Sequence, residues 1–382
     1  MENAKKLTAV VLAAAMAMAA AGCGDQSWSY KTDDVSLTTG TYIYNMLNAY
    51  YEASDLVESP DEVKDILKVE VTGSDSDAET KTVEQYTYDG ADETSRRMVA
   101  VEALFKSYGL ELDETEDETA RNYASQAWST AKRTLEGYGI SEDSFTYCYA
   151  DYSVKFGQVF EYLYGENGDE FVNDDALKDY FTDNYMGYAY FSLSMADTDE
   201  DGNSVAKSDE EFEKAESNFN AYVDMINKDK KNYKDVVAEH AKEYELTYDP
   251  TYSGSVKKDD DTPNIVADII DKLNELDEGE AGVVKTGADA TTMYYFVYKP
   301  KYSEIEDYLS ETTSDSTTTT VNGIEVYDLK SGYTRYSLLN DMKGDDFKDY
   351  LSNYAETLGI KKNETAIKGY KAKMFVSKDT DE

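Results

Sequence analysis

The sequence predicts an α+β fold in which helical segments near both ends of the chain flank a compact α/β insert. Apolar residues recur with the helical period through most of 39–181. The period changes to two over 188–195, where aromatic and small residues alternate as in a strand. Helical spacing returns over 347–358. We therefore expect helices first, then a mixed insert, then a returning helix.

Composition limits the partners of the chain. Its 382 residues include 37 Lys and Arg against 79 Asp and Glu, a net charge of −42. That charge repels nucleic acid and anionic lipid headgroups, so neither is an expected partner. Hydrophobic residues make up 41% and aromatic residues 13%, which excludes a disordered acidic tail. The 35 tyrosines suit domain walls and adaptable binding surfaces.

The first residues of the chain indicate export. Lys5 and Lys6 precede an uncharged apolar run over 7–21, which is shorter than the ~20 residues a membrane span needs. Cys23 follows Ala21 and Gly22, which predicts a lipoprotein signal peptide over 1–22 and lipidation of Cys23. The chain is then anchored by lipid to the extracytoplasmic face of the membrane. The alternative is an ordinary secretory cleavage beside a cysteine.

The segment that follows the signal predicts a short hairpin and then a series of helices. The hairpin covers 28–37, and Thr39 is expected to cap the first helix. The acidic stretch 54–79 is interpreted as a loop. Three amphipathic helices follow, with apolar faces that include Met98, Trp128 and Phe160, and Asn173 begins another.

The insert is expected to combine strands and helices. After the strand at 188–195, the pattern predicts helices around Phe219 and Val236, a turn-rich stretch over 246–262, and a helix opened by Pro263. Strands at 282–285 and 293–298 close it. Beyond the insert, 310–320 is interpreted as a low-complexity linker, and a final helix ends at Gly359.

One acidic stretch matches the first half of a calcium loop. Asp197, Asp199 and Asp201 place carboxylates at alternate positions, which makes them a weak calcium candidate. The twelfth position is Ser208 instead of the expected glutamate. Ser208 with Glu211 three residues later is better explained as a capping box, so we favour a solvated turn before a capped helix.

No catalytic set emerges from the reactive residues. His240 is the only histidine in the chain and is expected to be a solvated side chain on a surface helix. Cys148 is interpreted as a small buried hydrophobe. The sequence offers no metal pair, no catalytic triad and no phosphate loop, and it predicts no cofactor.

The order of these segments resembles the PrsA/SurA-type foldases, extracytoplasmic chaperones in which a parvulin-like peptidyl-prolyl isomerase domain is set into a helical domain. The resemblance rests on the helix before the insert, the first strand, the helix pair, the closing strands and the returning tail, at 172–181, 188–193, 212–244, 279–298 and 342–370. It implies a chaperone domain over 23–186, a parvulin-like domain with a four-stranded sheet over 187–300, and a linker with a returning helix over 301–382. The implied partners are unfolded or nascent exported polypeptides, held in a cradle of Tyr and Met side chains; the oligomeric state is left open.

The chain departs from the parvulin pattern where catalysis is located. Tyr190 or Phe191 stands in place of the first-strand histidine, and Tyr294 or Tyr295 in place of the last-strand histidine. Isomerisation of an X–Pro bond crosses a barrier of about 20 kcal/mol, so the loss of both imidazoles predicts little or no activity. A true isomerase that uses tyrosines remains an alternative.

A second class of function also fits the sequence. A surface lipoprotein that binds a solute or a glycan could share this architecture without being a chaperone. A four-stranded sheet wrapped by helices between Gly187 and Pro300 favours the foldase, and its absence favours this alternative.

Overall fold

The structure is a computed structural model that describes residues 27–58, 60, 64–73, 79–166, 168–259, 265–310 and 317–376. The fold is mixed α+β, as predicted. The chain forms two compact units: Met1–Phe171 together with Asp345–Glu382, and Val172–Gly344. We call them unit 1 and unit 2. The domain boundaries predicted from the sequence, at 187 and 300, differ from these unit boundaries and remain a prediction.

Unit 1 is mostly helical and contains both ends of the described chain. Its elements are β1 (Trp28–Lys31), β2 (Ser36–Thr38), α1 (Thr39–Asp55), β3 (Glu70–Thr72), β4 (Thr80–Thr82), α2 (Val83–Ser107), α3 (Glu114–Tyr138), α4 (Glu142–Thr146) and α5 (Tyr152–Tyr164). A π-helical turn, Tyr147–Asp151, joins α4 to α5. Thr38, and not Thr39, caps α1 by accepting from the backbone N–H of Thr41.

A short strand, β3, lies inside the stretch that was interpreted as a loop, and its partner β4 follows directly after that stretch. Strands β3 and β4 pair with each other, and Val71 at their centre is buried in the core of unit 1. Thr82 at the end of β4 caps α2 in a capping box with Gln85. The loop interpretation of 54–79 is therefore wrong at β3, where Val71 is buried in the core.

Unit 2 is built around an antiparallel four-stranded sheet. After α6 (Asp174–Asn184), its strands are β5 (Tyr185–Ser194), β8 (Tyr252–Lys257), β9 (Glu280–Thr286) and β10 (Met293–Lys299), in the spatial order β8-β5-β10-β9. Helices α7 (Asp209–Asn227) and α8 (Tyr233–Glu243) pack on one face, where Phe219 and Val236 share a core with Phe191. Helix α9 (Ala267–Glu275) packs on the other, where Ile269 and Leu273 meet Val297. A sheet wrapped by helices, which the foldase interpretation requires, is present.

One of these strands, β8, falls in the stretch that was predicted to be turn-rich. It pairs with β5 so that Gly254 lies opposite Tyr188. A Cβ atom on Gly254 would lie 2.7 Å from the Tyr188 hydroxyl, so a larger residue there would require the Tyr188 ring to move. Pro263, which was predicted to open the next helix, lies outside the described residues.

A hairpin replaces part of the predicted linker. Strands β11 (Thr318–Val321) and β12 (Ile324–Tyr327) pair with each other, so the linker interpretation is wrong from Thr318 onward. Val326 is fully buried against the core beneath α8. Lys234 on α8 forms an ion pair with Asp328 and donates to the Thr319 hydroxyl at 2.9 Å. A shorter hairpin, β6 (Ala196–Thr198) and β7 (Ser204–Ala206), precedes α7.

The last long helix belongs to both units. Helix α10 (Arg335–Thr357) starts earlier than the sequence predicts, and the boundary between the units falls at Gly344. In unit 2, the Asp341 carboxylate accepts from the hydroxyls of Tyr180 (2.7 Å) and Tyr185 (2.6 Å) and from the Lys257 ammonium. In unit 1, the chain ends with β13 (Lys361–Lys362) and α11 (Glu364–Ile367). No helix of the described residues is long and apolar enough to cross a membrane.

Candidate functional site: a tyrosine face on the sheet of unit 2

The four residues that the sequence resemblance aligns with the parvulin histidines divide between the two faces of the sheet. Phe191 and Tyr294 point into the core under α7 and are 0% and 2% exposed. Tyr190 and Tyr295 lie on the opposite face and are half-buried, with ring centroids 6.1 Å apart. The structure therefore brings Tyr190 and Tyr295 together and removes Phe191 and Tyr294 from any surface.

Two further tyrosines extend this pair. The Tyr190 ring stacks on Tyr252 of β8 at 5.4 Å and on Tyr188 at 6.1 Å. Tyr252 is 63% exposed. We call Tyr188, Tyr190, Tyr252 and Tyr295 the tyrosine face. Sequence alternation alone could place Tyr188 beside Tyr190, whereas Tyr252 required the pairing of β8 with β5, which periodicity did not reveal.

The hydroxyls of the tyrosine face are not used in hydrogen bonds within the part of the chain that the structure describes. None of the four donates to or accepts from another described residue. Burial, followed by the neighbouring rings, raises the pKa of Tyr190, and burial raises the pKa of Tyr188. The phenol groups of Tyr188 and Tyr190 therefore stay uncharged at neutral pH.

The sheet face around these rings is largely uncharged. Strand alternation and register assign to this face Met186, Tyr188, Tyr190, Ser192, Ser194, Tyr252, Gly254, Val256, Glu280, Gly282, Val284, Thr286, Met293, Tyr295, Val297 and Lys299. Its charged residues, Glu280 and Lys299, lie opposite each other at one end of β9 and β10. Helix α9 covers part of it with Ile269 and Leu273, against Val284 and Val297.

His240 is buried beneath the other face, which contradicts the expectation of a solvated side chain. It is 1% exposed, and its ring stacks on Phe191 at 4.2 Å and lies 4.9 Å from Tyr244. Burial lowers the pKa of His240 to about 4, so the imidazole is neutral at physiological pH. Its Nδ1 atom is buried and has no hydrogen-bond partner among the described residues. His240 therefore lies behind β5 and off the tyrosine face.

The acidic stretch forms the turn of the β6–β7 hairpin. The Asp199 carboxylate accepts from the backbone N–H groups of Asn203 (2.8 Å) and Asp201 (3.0 Å), which lower the pKa of Asp199. Asp197 pairs with Lys207 at 3.2 Å. Among the described residues, no group of three His, Cys, Asp or Glu side chains is placed to hold a metal ion.

Three other sequence predictions concern the start of α7 and unit 1. The capping box expected at Ser208 is present, with the Glu211 side chain accepting from the Ser208 backbone. Cys148 is half-buried in the π-helical turn, where it packs on the core of unit 1. Met46 and Met98 are buried in that core, so these methionines do not line a cradle on the surface. Cys23 and the signal peptide lie outside the described residues.

Comparison with known proteins finds similarity to solved structures only. No family model and no curated protein matches the chain. A foldase protein PrsA from Streptococcus pneumoniae matches 81% of this chain and 100% of its own length, at 13% identity and a TM-score of 0.29. A foldase protein PrsA from Lactococcus lactis matches 92% of this chain and 100% of its own length, at 12% identity and a TM-score of 0.30. Because both scores are low, the function proposed below rests on the residues of this chain.

Proposed function

We propose that this protein is a membrane-anchored extracytoplasmic foldase or chaperone that binds unfolded exported polypeptides. The observation that carries the proposal is the tyrosine face. It offers apolar ring surface and hydroxyls that no described residue binds, and both suit an extended polypeptide with exposed apolar side chains. The acidic remainder of the chain would keep the complex soluble.

The order of elements in unit 2 supports the proposal. A strand (β5) is followed by two helices (α7 and α8) and later by two closing strands (β9 and β10), the order the foldase resemblance implies. Tyr190 and Tyr295, which are among the residues that the resemblance aligns with the two parvulin histidines, share one face. The binding surface would therefore lie at the same position as in parvulins, with tyrosine side chains in place of the histidines.

The same geometry favours binding of an unfolded client without isomerisation of its X–Pro bonds. The barrier to rotation of a peptide bond is about 20 kcal/mol, and parvulins lower it with a buried histidine pair. Here the only imidazole lies behind Phe191. We therefore propose low or no isomerase activity for this face.

Cys23 would connect this role to the membrane. We propose that the signal peptide over 1–22 is removed and that Cys23 is lipidated, which would keep the chaperone where exported chains emerge. Replacement of Cys23 by serine should release the protein from the membrane fraction of the expressing cell. Retention of the Cys23→Ser variant in that fraction would contradict the anchor.

The chaperone role is tested by suppression of aggregation. The wild-type chain should slow the light scattering of a refolding client, and Tyr190→Ser/Tyr295→Ser should weaken this effect at least several-fold, because two ring surfaces are lost. Tyr123→Ser is the matched control, since Tyr123 is an exposed tyrosine of α3 in unit 1. A wild-type chain without effect, or equal loss in the control, would overturn the proposal.

The catalytic part is tested separately. In a protease-coupled assay with a prolyl peptide, the wild-type chain should give little or no acceleration over the uncatalysed rate. Acceleration comparable to that of an active parvulin, lost in Tyr190→Phe, would instead identify an isomerase that uses tyrosine hydroxyls.

A further inference from the structure

The backbone of β9, an edge strand of the sheet in unit 2, is paired along one side. Strand β10 pairs with it in a regular register from Glu280 to Thr286. On the other side, the Asn227 side chain donates to the Ala281 carbonyl oxygen and accepts from the Ala281 N–H, each at 2.9 Å. The N–H and C=O groups of Ala281 therefore face away from β10.

The outward backbone positions of β9 repeat at every second residue. In an antiparallel pair, successive residues of a strand direct their N–H and C=O groups alternately towards the partner and away from it. Because Ala281 faces away and the register is unbroken, Val283 and Lys285 face away as well. No described residue forms a hydrogen bond with the outward groups of these two residues. Each of them therefore presents a donor and an acceptor along the edge.

The side chains at this edge are directed away from the outward backbone groups. Lysine on an edge strand can block the addition of another strand, and Lys285 is exposed. Its ammonium lies 5.7 Å from the Phe212 ring and 5.2 Å from the Tyr294 ring, on the side of the sheet that α7 covers. The other edge strand, β8, has chain beside it, since the Lys330 N–H donates to the Ser253 hydroxyl at 3.3 Å. Strand β9 is therefore the better placed of the two edges for an added strand.

We propose that β9 binds an extended segment of unfolded polypeptide as an additional strand of the sheet. This inference rests on the proposed function and adds the way in which a client is held, through its main chain. An extended polypeptide carries N–H and C=O groups at the same two-residue repeat as Val283 and Lys285, so its backbone matches the edge. Because every polypeptide has this backbone, the recognition tolerates many client sequences.

The test follows amide hydrogen exchange along β9 in the full chain, with and without a labelled peptide of alternating valine and threonine. In the free chain, the amides of Val283 and Lys285 should exchange about tenfold faster than those of Gly282 and Val284, which face β10. Bound peptide should slow the two outward amides about tenfold and leave the inward ones unchanged. Slow exchange of the outward amides in the free chain would overturn the inference. If that slow exchange depends on protein concentration, a second copy of the chain occupies the edge instead.

Two substitutions at Val283 test main-chain recognition directly. Val283→Pro removes the outward N–H without removing a bond to β10, and edge positions of this kind tolerate proline. Val283→Thr is the matched control, since it keeps the N–H and the branched shape. Measured by fluorescence anisotropy, the proline variant should bind the peptide at least about fivefold more weakly than the threonine variant. Protection of the β10 amides in both variants reports that the sheet is intact.

The outcomes separate this inference from the proposed function. Peptide binding that is lost in Tyr190→Ser/Tyr295→Ser, with no protection of the outward β9 amides, would assign the client to the tyrosine face alone and overturn the inference. Equal affinity of the two Val283 variants would overturn it as well. If the wild-type chain binds no peptide, the inference fails, whereas the proposed function fails only if the chain also does not slow the aggregation of a client.

Discussion

At the scale of single residues, burial decides the chemistry of the most reactive side chain. His240 would be a candidate base if it were solvated at its ordinary pKa. The aromatic core under β5 instead holds it neutral, with a pKa of about 4. Because the buried imidazole must stay uncharged, protonation of His240 at low pH should destabilise the folded state.

The stability of the fold should therefore be sensitive to acid. The pKa of His240 is about 4 in the folded chain against 6.5 when exposed. Between those values the unfolded state binds more protons, so stability is lost as pH falls from 6.5 towards 4, by about 3 kcal/mol in total. His240→Leu, which cannot take up the proton, should lose less stability over this range. Urea unfolding, followed by hydrogen exchange of the α8 amides, measures the difference, and identical pH dependence in both chains would contradict the account.

At the scale of elements, the β11–β12 hairpin shows how packing outweighs a surface ion pair. Val326 is fully buried, whereas the paired side chains of Lys234 and Asp328 are 25% and 49% exposed. Burial of an apolar side chain contributes on the order of 2 kcal/mol, and an exposed pair contributes at most about 1 kcal/mol. Apolar contact is therefore what holds the hairpin on α8.

Two substitutions separate these contributions. Val326→Ala should destabilise unit 2 by about 2 kcal/mol, since it removes buried methyl groups and leaves a cavity. Lys234→Met should cost less than about 1 kcal/mol, because the pair it removes is partly exposed. Hydrogen exchange of α8 under increasing urea compares them. A larger cost for Lys234→Met would show that electrostatics hold the hairpin.

At the scale of the whole molecule, unit 1 depends on the last part of the chain. Phe347 is fully buried and packs on Phe156 (4.9 Å) and Phe160 (5.2 Å). Strand β13 pairs with β1, and the Lys362 ammonium contacts the Asp92 carboxylate. The N-terminal part of unit 1 therefore lacks both a sheet strand and part of its core until 345–376 is present.

A chain that ends at Gly344 should consequently lose the fold of unit 1 and keep that of unit 2. Both tryptophans, Trp28 and Trp128, lie in unit 1, so a red shift of tryptophan fluorescence reports its unfolding. Protection of the β5 and β10 amides from hydrogen exchange reports unit 2. An unshifted tryptophan spectrum in the shortened chain would show that unit 1 does not need its C-terminal segment.

Sequence reasoning succeeded where one segment carries its own signal. The long helices were predicted because their apolar residues repeat over several turns, and the capping box at Ser208 because four consecutive residues define it. The strands β3, β4, β6, β7, β8, β11, β12 and β13 were missed. Each is short, and β8 and β13 become strands only through pairing with distant segments, β5 and β1.

The sequence by itself determined the helix–insert–helix order and the presence of a single histidine. Only the tertiary structure decided that Tyr190 and Tyr295 share a face with Tyr188 and Tyr252, and that His240 lies behind it. The physical reason is that alternation assigns residues to opposite sides of a strand, while the packing of α7, α8 and α9 decides which side is core. The local sequence pattern therefore identifies candidate site residues, and burial against distant segments decides which of them lie on an accessible face.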